Sequence, residues 1–416
     1  MTDNEYLLDY LRESGRVKSD YFDALRLELD RRIYHYGKHF RREYEPEKSY
    51  AAIRRNVSRF VRAICSRKPK LDVADFQSNA YSVANVELRN LGYSVVLPPW
   101  RGEALSGASS TIKAVRLLER YFATSDFNGI LSGACAGLIS AVEKSLREYY
   151  RGIKALAVPF DIVFFENLSI RLFREAGKPS FVFLHGLPAR YNAIDDRRGD
   201  YLVVWGDAIK EHYVRAGGNP DRIFISGRPG VGGRKWVRPR QGIEDVLVVT
   251  KSISGGQPIT GDTIISDRGN LILYLYKVED ALKRAGVKKA RFRPHPSENG
   301  EWYLPYLDNA FFELDKYPLS QSLAKATLVV GPTSTLLLDA LQAGVEYRIF
   351  EPEIGGRDLL NYRIVAPFDG SEAGLPIAKT IKELEALVKE GGSTPETTLR
   401  RYVGDSYDLS FMKRIV

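Results

Sequence analysis

Arg293-Pro294-His295-Pro296 and Gly331-Pro332-Thr333-Ser334-Thr335 are the two stretches on which the reading of this chain turns. Each follows a short apolar run, Ala290 to Phe292 in the first case and Leu328 to Val330 in the second. Such runs, bounded by turn residues, read as buried parallel strands. The second passes straight into Leu336, Leu337, Leu338, Ala340 and Leu341, a helical pattern. Ligands in open α/β sheets sit at the carboxyl ends of strands, and helix starts offer free N–H groups to phosphate. A His-Pro and a hydroxyl cluster at two such ends predict an anion pocket, and with it an enzyme handling a phosphate-bearing donor.

The same alternation continues outward. Toward the N-terminus, strands are expected at Leu71 to Phe76, Tyr93 to Leu97, Phe160 to Phe165, Phe181 to Leu184, Tyr201 to Trp205 and Arg222 to Ser226. Helical patterns separate them, including Val83 to Leu91, Ile130 to Tyr149, Leu168 to Ala176 and Ala208 to Ala216. Gly227 to Gly242, rich in glycine and arginine and without apolar period, reads as a linker. A second set of strands and helices runs from Asp245 to Lys389. Strand-helix alternation with short loops means a parallel, doubly wound sheet. The expected fold class is α/β, with two Rossmann-like domains facing a cleft. Residues 1–235 form the acceptor-side domain with a helical N-terminal extension, and 236–395 the donor domain. Residues 396–416 read as a helix that packs back on the first domain.

The whole chain is consistent with this. Its 416 residues exceed what one compact core holds, so two domains are expected. No apolar run approaches the roughly 20 residues that span a bilayer. The polar start, Met1-Thr2-Asp3-Asn4-Glu5, lacks the pattern of a secretory signal. Two cysteines, Cys65 and Cys135, make neither a disulfide framework nor a metal set, and a cytoplasmic protein is expected. The net charge of +9 suggests an anionic partner. Arg54, Arg55, Arg59, Arg62, Arg67, Lys68 and Lys70 lie on a segment where Ile53, Val57, Phe60, Val61 and Ile64 recur at helical spacing. That basic amphipathic helix is either a solvated face or a peripheral contact with anionic lipid at the inner membrane. No aromatic-interleaved basic groove accompanies it, so nucleic acid is not the expected partner.

Individual residues then take candidate roles. His295, stiffened between two prolines, is placed to donate to a phosphate oxygen, with Arg293 beside it and Pro296 fixing the loop. Thr333, Ser334 and Thr335 serve either as a helix N-cap or, being three in a row after Gly-Pro, as a phosphate loop. Lys251 and Ser252 belong to a third strand-end loop on the same cleft. In the first domain Glu166, His185 and Asp207 each follow an apolar run, although an aspartate or glutamate there also caps a helix. His35, His39 and His212 read as surface residues. No Asp-x-Asp motif, paired His/Cys set or glycine-rich NTPase loop occurs, so the chemistry is expected to need no cofactor and no bound metal, with protein cations stabilising the leaving phosphate.

At His295-Pro296 and Thr333-Ser334-Thr335 the chain resembles the GT-B glycosyltransferases that use CMP-activated acidic sugars. These include bacterial sialyl- and polysialyltransferases and the retaining β-Kdo transferases of capsule and O-antigen assembly. Leu202 to Asp207 followed by Ile223 to Pro229 is similar to a run shared with capsule synthesis proteins, CDP-glycerol glycerophosphotransferases and UDP-GlcNAc 2-epimerases. The resemblance covers roughly residues 160–350. It implies a GT-B-like fold and a CMP pocket at Arg293, His295, Pro296 and Thr333 to Thr335. Without the acidic motif of the sialyltransferases, it favours Kdo moved from CMP-Kdo to an oligosaccharide or lipid-linked acceptor in surface polysaccharide (lipopolysaccharide or capsule) synthesis. By that resemblance Asp207 is the nucleophile of a double displacement. Glu166 or His185 would take the acceptor proton, and Arg228 or Arg190 would hold the sugar carboxylate. The alternatives on the same fold are a CMP-sialic acid transferase, a CDP-polyol phosphotransferase and a UDP-sugar epimerase; outside catalysis, a glycan-binding capsule-assembly module.

Overall fold

The computed structural model describes residues 10–14, 21–33, 72–80, 82–99, 105, 108–125, 127–161, 163–188, 191, 199–230, 237, 239–240, 242–251, 267–296, 298, 300–360 and 364–416. The basic segment 51–70, His35, His39, Arg190 and Ser252 lie outside these residues.

In chain order the first domain comprises α1 (Phe22–Ile33), β1 (Ala74–Ser78), α2 (Ser82–Asn90), β2 (Val95–Val96), α3 (Ala108–Thr124), α4 (Phe127–Leu131), α5 (Ala136–Tyr150), β3 (Ile153–Val158), α6 (Phe164–Glu175), β4 (Ser180–Phe183), β5 (Tyr201–Val204), α7 (Asp207–Arg215) and β6 (Ile223–Ile225). The second comprises β7 (Val246–Val249), α8 (Asp267–Arg284), β8 (Ala290–Arg293), β9 (Phe312–Leu314), α9 (Leu319–Lys325), β10 (Leu328–Gly331), α10 (Leu336–Gln342), β11 (Glu346–Phe350), the hairpin β12 (Glu353–Ile354) and β13 (Arg357–Asp358), β14 (Ile377–Ala378) and α11 (Ile381–Glu390). The last helix, α12 (Glu396–Val403), precedes a 3-10 turn over Ser410–Arg414.

Each domain carries one six-stranded parallel sheet, ordered β2-β1-β3-β4-β5-β6 in the first and β14-β11-β10-β7-β8-β9 in the second. The molecule is therefore α/β with two doubly wound, Rossmann-like domains, a GT-B-like layout. The central strands are buried along their whole length, as β7 and β10 show, because helices cover both faces of a parallel sheet. In each sheet the direction of strand addition reverses once, between β1 and β3 in the first and between β7 and β10 in the second. Open α/β sheets take their ligands at the carboxyl ends on either side of such a reversal.

One strand differs from its expected place. The apolar run Phe160 to Phe165 is not a strand: β3 ends at Val158, and α6 begins at Phe164. Pro159 removes a ladder donor and stops the strand, while the apolar residues continue because the first turn of α6 is itself core, with Phe164, Phe165 and Leu168 buried. Downstream, Lys178 donates to the carbonyls of Tyr150 (2.7 Å) and Ile153 (2.6 Å). Its ammonium satisfies acceptors left over at the end of α5.

The C-terminal segment returns to the first domain. Leu409 and Met412 are buried with Phe76, Phe181 and Phe183, and Phe411 stacks on Phe224 with ring centroids 4.7 Å apart. Gly206 and Gly227 lie directly beneath it: a Cβ on Gly206 would strike the carbonyl of Arg401, and one on Gly227 that of Ser406. The ends of β5 and β6 are thereby closed over.

His212 belongs to this seam, and the expectation of a surface residue is corrected. Its ring stacks on Tyr191 at 4.5 Å and meets the Tyr402 hydroxyl at 3.1 Å. Arg215, which can only donate, contacts Nδ1 at 2.9 Å; Nε2 therefore carries the hydrogen and donates to Tyr402, whose hydroxyl donates to Glu372 at 2.6 Å. Burial, and then the Arg215 charge, push the His212 pKa below its usual value. The unfolded chain thus binds more protons as pH falls below about 6.5, so this group's contribution is intact above that pH and is lost as pH drops through the folded pKa. Melting temperature is expected to fall between pH 7.5 and pH 5.5, and less steeply in His212→Gln; an unchanged slope in that variant would refute the assignment.

Candidate functional site

The second-domain reversal places the two motifs at strand ends on either side of β7. Thr250, just past β7, sits between the two motifs: its N–H bonds the carbonyl of Arg293 (3.3 Å), and its hydroxyl accepts from the His295 N–H (3.3 Å). β8, β7 and β10 are consecutive neighbours in the sheet. At the spacing of about 4.8 Å between strands, the His295 loop and the Thr333 loop are about 10 Å apart across Thr250 and Lys251. Lys251 is half-buried at the end of β7. Burial pushes the His295 pKa down, so the ring is neutral at pH 7 and donates a hydrogen bond without adding charge.

The hydroxyl loop differs from its expected use. The Thr333 N–H already donates to Glu351 (2.6 Å), and the Leu336 N–H to the Ser334 hydroxyl (3.2 Å). Thr335 accepts from the N–H of Leu187 in the other domain (3.0 Å). The N–H groups of Thr333 and Leu336 are thus spent on holding the loop, and Thr335 ties it to the other domain. Glu351, fully buried just past β11, was not anticipated; its signal in the sequence is no more than a carboxylate immediately after Ile349-Phe350 at a strand end.

Two arginines are corrected. Arg293 donates to Asp315 (2.9 Å) and to the carbonyl of Tyr317 (2.7 Å), so its charge is matched by a carboxylate with no exposed surface. It anchors β8 instead of offering a cation to a phosphate. Arg228 crosses the interdomain seam to Asp339 (2.8 Å) and Gln342 (3.1 Å) and lies over the Trp205 ring. It is a strut between the domains, already paired where a sugar carboxylate was expected.

On the first domain, three residues just past strands and one in the first turn of a helix carry the polar groups. Asn79 follows β1, and its N–H bonds the carbonyl of Ala157 in β3 (3.2 Å). Glu166 stands in the first turn of α6, buried, and accepts from Asn79 Nδ2 (2.8 Å). His185 follows β4, and Asp207 follows β5 as the first residue of α7. His185 is exposed, and its Nδ1 lies 2.9 Å from the carbonyl of Pro159. A carbonyl only accepts, so Nδ1 bears the hydrogen and Nε2 of the neutral ring carries a lone pair. Asp207 is exposed, next to Gly206, whose other side the C-terminal segment covers. The Leu187–Thr335 bond joins this set to the hydroxyl loop, two residues from His185. Among the described residues no cluster of three or more His, Cys, Asp or Glu side chains is placed to hold a metal ion, and no helix is long and apolar enough to cross a membrane.

No protein-family model matches the chain, and no curated protein does. Solved structures with a similar course include the UDP-GlcNAc 2-epimerase of Neisseria meningitidis bound to UDP-GlcNAc, with 10% identity, 82% of this chain and 96% of that chain covered, and a TM-score of 0.43. The UDP-N-acetylglucosamine 2-epimerase of Rickettsia bellii shows 13% identity over 82% and 94%, with a TM-score of 0.45. The lipopolysaccharide outer core galactosyltransferase WaaB in its apo form shows 12% identity over 66% and 78%, with a TM-score of 0.40. At this level of likeness no activity carries over, and these names lend no support to the CMP-sugar branch of the sequence resemblance.

Proposed function

We propose that the chain is a glycosyltransferase acting on a nucleotide-activated sugar, with CMP-Kdo the donor that the sequence resemblance favours. The observation that carries it is the Leu187–Thr335 hydrogen bond, which sets the hydroxyl loop of one domain against the His185 strand end of the other. The nucleotide phosphate lies over Thr250 and Lys251, accepting hydrogen bonds from the neutral His295 ring and the Thr333 to Thr335 hydroxyls. As the bond from the anomeric carbon breaks, the phosphate oxygen keeps its electron pair, and those donors stabilise the charge it gains. The incoming hydroxyl gives its proton to Glu166 or to Nε2 of His185. Retention by double displacement makes Asp207 the intermediate nucleophile; direct displacement needs no such group, and the anomeric configuration of the product separates the two. An oligosaccharide or lipid-linked acceptor, met at a membrane surface, completes the reading.

A second reading, a UDP-sugar epimerase, is favoured by the resemblance of the run Leu202 to Asp207 and Ile223 to Pro229 to related versions in such enzymes. Parallel incubation with CMP-Kdo and with UDP-GlcNAc distinguishes them. CMP release, accelerated by an added glycan acceptor, is the expected result. Inversion at C2 of UDP-GlcNAc, with CMP-Kdo left intact, would overturn the transferase reading in favour of the epimerase.

A further inference from the structure

We infer that Asn79 and Glu166 form a second ligand site, one that binds neighbouring hydroxyls of a neutral, polyhydroxylated acceptor; as an acceptor site it rests on the transferase reading above. The two side chains stand at the carboxyl ends of β1 and beside β3, the one place in the first sheet where strand order reverses. Nothing in the donor pocket requires them.

The backbone fixes both groups. The Asn79 N–H to Ala157 bond holds residue 79 in register with β3. Gln77 and Asn79 are two apart along one strand and share a face, the face that α6 covers. There Gln77 donates to the Tyr150 hydroxyl (3.4 Å), which lies 2.7 Å from the Ser169 hydroxyl, and Ser169 donates to the carbonyl of Phe165 (2.6 Å). That chain of contacts ties the first turn of α6 to β1 and so sets the position of Glu166. Asn167 adds a bond from its amide to the carbonyl of Asp161 (3.1 Å), steadying the loop before the helix.

The orientation of the Asn79 amide follows from chemistry. An ionised carboxylate only accepts, so the amide nitrogen must face Glu166, as the 2.8 Å contact has it. The amide oxygen is left pointing elsewhere. It is buried, and it has no hydrogen-bond partner among the described residues, on a side chain only 8% exposed. A buried carbonyl oxygen without a donor is costly and calls for one. The complement of an amide oxygen beside a carboxylate is a group that brings O–H. A phosphate brings neither hydrogen nor positive charge and would meet the Glu166 charge, so this is not a donor-phosphate site. The position suits an acceptor: Asn79 lies two strands, about 10 Å, from the His185 end of β4.

A sugar with adjacent hydroxyls satisfies both groups together. One hydroxyl donates to Asn79 Oδ1 and anchors the ring. Its neighbour presents its hydrogen to Glu166. In the transfer step that proton passes to the Glu166 carboxylate and the hydroxyl oxygen bonds to the anomeric carbon. The group leaving that carbon takes the electron pair of the bond that breaks.

The test uses ligand-observed NMR without donor, on wild type, Asn79→Leu and Asn79→Gln. The probes are methyl α-D-galactopyranoside, methyl α-D-mannopyranoside and methyl N-acetyl-β-D-glucosaminide. Wild type is expected to bind at least one of them. Asn79→Leu, nearly equal in volume, should weaken that binding about tenfold, the worth of one well-made hydrogen bond. Asn79→Gln keeps both an N–H donor for Glu166 and an acceptor oxygen and should retain more of the binding than the leucine variant; Asn79→Ser replaces the leucine variant should that fail to fold. Binding of none of the three by wild type, or equal affinity in wild type and Asn79→Leu, would overturn the site, as would equal weakening in the leucine and glutamine variants. CMP release from CMP-Kdo without acceptor reports the donor reading alone. Its absence together with Asn79-dependent glycoside binding would remove the donor assignment and leave this site standing.

Discussion

Replacing His295 with alanine is expected to lower the rate of CMP release from CMP-Kdo by about 10²- to 10³-fold, the range for losing one hydrogen-bond donor that stabilises developing charge, with little change in melting temperature. The separation of the two effects follows from how the loop is held. The bond that fixes residue 295 runs from its backbone N–H to Thr250, and an alanine keeps it. Pro294 and Pro296 keep the turn stiff in the variant as in the wild type. What disappears is a half-buried neutral ring whose hydrogen bond is worth more at a charged phosphate oxygen than at a neutral group. His295→Gln retains an N–H donor at nearly the same reach and should recover part of the lost rate. The measurement is steady-state CMP release alongside a thermal melt. Near wild-type turnover in the alanine variant would remove His295 from the site.

That the motif at 293–296 could be read without a structure, while its arginine could not, has a physical cause. Strand ends announce themselves locally: an apolar run, a break, then residues unsuited to continuing the ladder. The positions of His295, Thr333 to Thr335, His185 and the paired sheets follow from that signal. A charge does not announce its partner. Arg293 is neutralised by Asp315, 22 residues on, and Arg228 by Asp339, 111 residues on, and no local pattern tells a structural guanidinium from a ligand-binding one. The strand expected before Glu166 fails for a different reason. The apolar residues from Val158 to Phe165 run through a strand end, a loop and a buried helix start, and burial without periodicity cannot separate strand from helix. Asn79 lies between the expected strand at Leu71 to Phe76 and the expected helix at Val83 to Leu91, and no local pattern marks it. Its importance lies in an orientation imposed by a carboxylate 87 positions away.

The same buried carboxylate that took Arg293 out of the pocket supplies the largest expected effect on stability. Asp315→Ala is expected to destabilise the second domain by about 3–5 kcal/mol, the range for removing one partner of a buried ion pair, and to lower the melting temperature by on the order of 10 °C. Asp315 carries no exposed side-chain surface and receives Arg291 at 3.1 Å and Arg293 at 2.9 Å. Both guanidiniums come from β8, where alternate residues fall on one side of the strand, and one carboxylate serves the pair. Without it the two positive charges remain close together, and Arg293 keeps only neutral contacts with the Tyr317 carbonyl and the Ser322 hydroxyl. Asp245→Ala is the control: Asp245 also pairs with Arg291, at 2.7 Å, but it is 30% exposed, so water takes over part of its role and the loss should be under about 1 kcal/mol. Because β8 ends at the His295 loop, Asp315→Ala should also weaken CMP binding at temperatures where the domain remains folded. Equal melting shifts in the two aspartate variants would mean that burial does not set the strength of this network, and the anchoring role given to Arg293 would fall with it.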